Sequence, residues 1–128
     1  MAELQLFYYR MKYMDIETIR KFCRSLPAAT EDIKWDHDLC FSVCGKMFVV
    51  IDLEPPNRFS FKVPDEEFEE LSTREGFMPA PYMARAKWVS TESPSHLKKK
   101  EGEQFMRQSY ELVKAKLTKK AKAELGLS

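Results

Sequence analysis

Glycine, cysteine and histidine are scarce in this chain: its 128 residues hold four, three and two of them. Four scattered glycines leave no glycine-rich loop to cradle a phosphate, and no serine nucleophile elbow occurs. Three cysteines are an odd count and a poor disulfide framework. Cys40 and Cys44, read on one strand, would stand roughly 13 Å apart, whereas a disulfide needs Cα atoms within about 7 Å. There is no CxxC pair, so the ligand spacing of a structural zinc site is missing. His37 lies near Cys40, Cys44, Asp36 and Asp38 in sequence, but on a strand it would point away from both thiols. His96 sits in a Ser/Pro/Lys-rich stretch, and neither histidine has an evident nucleophile beside it. Cys23 falls on an apolar helical stripe and reads as core. These absences argue against an enzyme and imply no metal and no cofactor. No run approaches the ~20 apolar residues of a membrane helix, and no basic segment precedes the short apolar run at residues 6–9. The expectation is a cytoplasmic protein with no membrane partner.

What the chain does contain is ordinary globular material, 44% hydrophobic and 32% charged. Its length suits one domain able to bury a core without staples. The net charge of +1 conceals an asymmetry: residues 1–84 carry 10 Lys+Arg against 15 Asp+Glu, residues 85–128 carry 11 against 5. Such a split marks either an interaction face for a polyanion or two solvated surfaces of one domain.

Residues 1–13 read as an N-terminal extension, with Leu4, Leu6 and Tyr8 alternating as a short strand does. A single domain then spans 14–128. Asp15 is an N-cap, Met14 and Ile19 are placed as a hydrophobic staple, and Ile16, Ile19, Phe22, Cys23 and Leu26 follow at helical spacing until Pro27. Leu39, Phe41 and Val43 alternate with Cys40, Ser42 and Cys44. Gly45-Lys46 reads as a tight hairpin turn leading to a central strand at 47–53, apolar on both faces. A third strand alternates at Phe59, Phe61 and Val63. Pro64 opens a middle helix with acids in its first turn. Residues 77–84 read as an edge or loop because of two prolines, and 85–91 as a further strand with Ala86 and Trp88 on one face. A last, long helix is expected from about Gly102 to Leu125, with Phe105, Met106, Ser109, Tyr110, Val113 and Leu117 on one stripe. This order predicts an α+β, two-layer fold: an antiparallel sheet with N-terminal, middle and long C-terminal helices.

Several of these stretches resemble the MmcQ/YjbR family. They are the helix ending in Ser25-Leu26-Pro27; Trp35 followed by Phe41, Val43 and the Gly45-Lys46-Met47-Phe48 hairpin; Phe61-Lys62-Val63-Pro64; Pro81-Tyr82-Met83 leading to Lys87-Trp88-Val89; and Ser109-Tyr110-Glu111-Leu112-Val113. Together they cover about residues 14–118. The chain departs from the family where Pro often precedes the first Trp and Gly follows it, here Lys34 and Asp36. It departs again where His often precedes the second Trp, here Lys87. The resemblance implies a compact fold similar to type III secretion chaperones or frataxin-like proteins. It also implies DNA binding, the property commonly predicted for these bacterial-type proteins.

Beside that implication stand the cations available for phosphates: Arg58 and Lys62 from the sheet, then Arg85, Lys87, Lys98, Lys99, Lys100 and Arg107. Trp88 or Trp35 could supply a stacking face. The sequence pI of about 7.7 is below that of dedicated nucleic-acid domains, and no helix-turn-helix or zinc-finger signature is present. The expected partner is double-stranded DNA, held by a basic surface of the C-terminal third. The alternative is a protein-interaction module without catalytic activity, whose apolar stretch at Met78, Tyr82 and Met83 adapts to a protein partner. The acids at 65–70 suit a helix N-terminus without any metal.

Overall fold

The structure, a computed structural model, describes residues 3–5 and 12–127. The strand expected around Leu4–Tyr8 lies mostly outside these residues, and its described part, Glu3–Gln5, is helical. In chain order the elements are α1 (Ile16–Ser25), β1 (Ala29–Lys34), β2 (Asp38–Val43), β3 (Lys46–Asp52), β4 (Phe59–Lys62), α2 (Asp65–Ser72), β5 (Phe77–Pro79), β6 (Trp88–Thr91), α3 (Lys99–Ala115) and α4 (Lys119–Glu124), with 3-10 turns at Ala84–Ala86 and Pro94–His96. The strands form one sheet in the order β1-β2-β3-β4-β6-β5, antiparallel at every pair. The α+β class and its antiparallel sheet therefore stand.

Helix α1 forms for the expected reasons. The Asp15 carboxylate accepts from the Thr18 amide at 2.8 Å, satisfying a first-turn donor. Met14 and Ile19 are both buried. The chain before α1 lies close against α3 because Gly102 has no side chain: a Cβ there would stand 2.4 Å from Met14 Cγ.

Four expectations need correction. Strand β1 departs from the sequence expectation, because Ala-Thr-Glu-Asp-Ile-Lys is polar on one face and broken by Glu31 on the other. As an edge strand it pairs on one side only, and Ile33 remains exposed. The β2–β3 turn is centred on Cys44 and Gly45, both at positive φ (50° and 76°), the type I′ geometry that matches strand twist. Cys44 is thus an exposed turn residue, not a strand residue. The segment expected as a strand from Arg85 begins as a 3-10 turn, and Lys87 at φ 63° precedes strand β6. The terminal helix starts earlier, at Lys99, and breaks at Thr118, whose hydroxyl caps α4 by accepting from Ala121 at 3.0 Å. The last point also places Lys99 and Lys100 inside a helix rather than in a loop.

Helices α1 and α3 cover one face of the sheet, and α2 packs on β5 and β6. Leu39, Phe41, Val43, Val49, Ile51, Phe59, Phe61 and Val89 point into this core. A register shift between Phe41 and Ser42 makes Phe48 an extra residue in β3. The bulge turns Phe48 and Val49 both inward, and explains why β3 reads as apolar on both faces. Phe48 meets Tyr110 of α3 edge-on, with centroids 5.3 Å apart, and Phe61 stacks on Phe105 at 4.9 Å. Where the bulge interrupts the ladder, Ser109 of α3 replaces the missing strand partner. Its hydroxyl donates to the Phe48 carbonyl at 2.6 Å and accepts from the Lys62 amide at 2.9 Å.

Candidate functional site

Cross-strand pairing sets the second face of the sheet. Cys40 stands opposite Val50, Val50 opposite Ser60, and Ser60 opposite Ser90, while Lys62 stands opposite Trp88. Residues 80–86 fold back toward this face. Ala80-Pro81-Tyr82-Met83 is a turn closed by the Met83 amide on the Ala80 carbonyl at 3.1 Å. Lys62 donates its ammonium to the Ala86 carbonyl of the following 3-10 turn.

That fold-back removes two of the expected site residues. Lys62 and Trp88 are buried, at 9% and 4% exposure. Burial pushes the Lys62 ammonium below its usual pKa, with the nearby cations Lys116 and Lys87 acting in the same direction. Lys62 pins a loop and presents no charge to a phosphate; Trp88 offers no stacking face. The alternation in sequence could not show this, since it assigned the face but not what lies over it.

The remaining cations fall into separate groups. Lys87 extends over the Phe68 ring of α2 at 5.0 Å, and with Arg85 it belongs to the end of the molecule where Lys116 terminates α3. Lys98, Lys99 and Lys100 stand at the other end of α3. A helix of 17 residues is about 25 Å long, so these are two distinct basic groups. Arg107 lies between α3 and α1, its guanidinium 5.3 Å from the Phe22 ring. Arg58 belongs to neither group and lines a cleft over the second sheet face.

Two concavities organise these residues. The first is a groove of about 840 Å³ between α1 and the start of α3, lined by Arg20, Lys21, Phe22, Arg24 and Lys99 and also by the acids Glu17 and Glu103. Arg20 is held by Glu31 through two contacts, 2.6 and 3.4 Å. That hydrogen bond, reinforced by the carboxylate charge, raises the pKa of the guanidinium. Lys21, Lys99 and Lys100 make no ion pair among the described residues. The contribution of α1 was missed from sequence, although Arg20, Lys21 and Arg24 recur at i, i+1 and i+4 on its polar face.

The second is a cleft of about 640 Å³, with Met47, Val50, Ala80, Pro81 and Met83 as apolar lining, Trp35 and Tyr82 also lining it, and His37, Asp38, Asp52 and Arg58 as charged lining. Trp35 is 64% exposed and Tyr82 wholly so. Both have positive φ, 50° and 66°. Asp36 stands at φ 69°, a conformation that favours glycine. Tyr82 holds the third position of its turn, behind Pro81, where a type II geometry favours glycine. Asp38 and Asp52 are direct cross-strand partners. His37 Nδ1 lies 3.3 Å from Asp38 Oδ1 and 3.1 Å from Asp52 Oδ1. Partial desolvation disfavours the His37 imidazolium, but Asp52, Glu54 and Asp38 outweigh it and raise the pKa above the ordinary value. The three side chains are close enough to share a metal ion, although sequence reasoning set His37 apart as a ligand.

The YjbR family model matches residues 24–112. The crystal structure of Deinococcus radiodurans protein DR2400, which carries the DUF419 domain, is similar at 28% identity, covering 92% of this chain and 91% of that one with a TM-score of 0.79. A Pseudomonas syringae protein of known structure shares the fold at 16% identity, covering 78% of this chain and 99% of the other, with a TM-score of 0.66. No curated protein sequence matches the chain.

Proposed function

Since the chain belongs to the YjbR family, we propose that it is a non-enzymatic binding protein that holds the phosphate backbone of DNA on the face formed by α1 and the N-terminal end of α3. The observation that carries this reading is the placement of Lys98, Lys99 and Lys100 at the N-cap and first turn of α3. A helix N-terminus is already positive and leaves amides unpaired, so cations there work against the helix by ~0.3–1 kcal/mol each. Glu101, the acid of that first turn, is paired with Arg74, so an external anion relieves that cost. Lys21 and Arg24 across the groove and Arg107 farther along extend the basic track. Binding of this kind reads charge and spacing rather than base sequence. It also accommodates the near-neutral pI, because the cations are segregated rather than abundant.

The test is fluorescence anisotropy of a labelled random duplex, titrated with protein over a range of salt. Four or five phosphate contacts predict a log–log slope of roughly −4. Charge reversal of Lys98, Lys99 and Lys100 together flattens it, whereas reversal of Arg85 and Lys87, at the far end of α3, leaves it unchanged. No binding at low salt would overturn the proposal, as would equal sensitivity at both ends.

A second reading, a module that binds a protein segment, is favoured by one observation: the cleft over the second sheet face exposes Trp35 and Tyr82 beside an apolar lining.

A further inference from the structure

Three locally unfavourable arrangements converge on the cleft. A tryptophan and a tyrosine both occupy backbone conformations that bulky residues avoid. Both also remain exposed, so their own burial does not compensate for it. Asp38 and Asp52 face one another across β2 and β3, a like-charge pairing that destabilises a sheet and that His37, 3.1–3.3 Å from both, offsets only when protonated. Folds tolerate such departures from local preference chiefly at functional sites. The cleft's size lies within the ~300–1,000 Å³ of ligand sites, and its lining, mostly apolar with a few converging polar groups, has their usual character.

Charge decides what fits. Asp38 and Asp52 line one part of the cleft beside His37, Arg58 lines it as well, and Asp36 and Glu54 stand two residues from the paired acids in sequence. Beside the two carboxylates a phosphate is repelled. A cation is attracted both by these carboxylates and by exposed aromatic faces. We propose that the cleft binds an arginine or lysine side chain of a protein segment, with its charged head against Asp38 and Asp52 and its apolar stem along Met47 and Val50. This rests on the protein-segment reading and names the chemistry of the segment. Long cationic side chains suit such a site because an apolar stem carries the charge. The guanidinium of Arg58, in no ion pair among the described residues, is available to donate to carbonyls of the bound segment. A divalent ion would use His37, Asp38 and Asp52 but would leave the apolar lining and both aromatics without a role.

The experiment uses the full chain, nitrogen-15 labelled, and its two indole N–H signals. Trp35 is exposed and reports on the cleft directly; Trp88 is buried beneath the turn that lines it and serves as the less sensitive comparison. The probe is an acetylated, amidated Ala-Leu-Arg-Leu-Ala peptide, compared with the same peptide carrying citrulline, the neutral isostere, in place of arginine. The expected result is a saturable shift of the Trp35 indole, larger than that of Trp88. Binding should be at least tenfold weaker for citrulline and at least fivefold weaker after Asp52→Asn. Tyr82→Gly, which relieves strain and should leave the fold intact, should also weaken the arginine peptide. Equal binding of the two peptides would overturn the cation assignment while leaving the protein-segment reading in place. No response to either at millimolar concentration would overturn both. Broadening of the Trp35 signal by micromolar manganese, without any response to the arginine peptide, would overturn the proposal in favour of a metal centre.

Discussion

Replacing Ser109 by alanine removes a single oxygen atom, yet should be among the costliest substitutions in this protein. The hydroxyl stands where the bulge interrupts pairing between β3 and β4, and it serves two backbone groups at once: the Phe48 carbonyl at 2.6 Å and the Lys62 amide at 2.9 Å. Ser109 has no exposed surface, so water cannot take its place. A buried backbone group left without a partner costs ~1–3 kcal/mol. Partial closure of the two strands on one another would recover some of this, giving about 2–4 kcal/mol for the pair. Against a total stability of ~5–15 kcal/mol this is large, and for a domain of this size it lowers Tm by roughly 10 °C. Ser25→Ala is the matched control: its hydroxyl also donates to a carbonyl, that of Phe22, at 2.6 Å, but on the exposed surface. Surface changes of that sort stay within about 0.5 kcal/mol. Urea denaturation of both variants measures the contrast, and hydrogen exchange should show the Lys62 amide losing protection only in Ser109→Ala. Equal costs for the two substitutions would refute the argument, because bond length alone would then account for both.

Other outcomes follow from the same geometry. The His37 imidazole should titrate above 6.5 by NMR, and Asp52→Asn should move its midpoint down. Because the folded pKa is the raised one, the stability His37 adds is complete below 6.5 and is lost as pH rises through the folded value. Tyr82→Gly should leave stability unchanged or raise it by about 1 kcal/mol, since the φ of 66° costs tyrosine ~1–3 kcal/mol and costs glycine nothing; a clear loss would mean that the tyrosine ring supports the fold. A thiol reagent under native conditions should label one cysteine quickly, Cys44 in its exposed turn. Cys23 and Cys40 should react only on unfolding, as burial pushes both thiols up.

Much of this architecture is written in local signals, and the omissions have physical causes. Asp15 as a cap, the alternation in β2 and β4, and Pro64 before α2 depend on neighbours in sequence and could be read there. Strand β1 could not, because an edge strand whose covered face is held by Ala29 and the Arg20–Glu31 pair needs no run of apolar alternation to exist. The break at Thr118 was hidden by a lysine-rich stretch that suits a helix end as well as a helix middle. The cleft is the hardest case: Trp35, Arg58 and Tyr82 come from three separate turns or strand ends, and only the strand order brings them together. The buried states of Lys62 and Trp88 depend on a turn folding over them, which alternation does not record. For the basic face the sequence held a usable signal, the recurrence of Arg20, Lys21 and Arg24 on α1. It was obscured because their half of the chain is acidic on balance.

The two outermost strands set how the sheet can meet other chains. β1 carries the exposed Asp32 and the half-buried Lys34, and β5 is three residues long and ends in Pro79. Charges, brevity and proline each discourage another strand from adding on. Lateral growth, the usual route from an open sheet to aggregates, is thereby blocked at both sides, even though the apolar lining and exposed aromatics of the cleft remain accessible. The sheet can therefore leave an apolar cleft open on its face without offering its rim as a template for polymerisation.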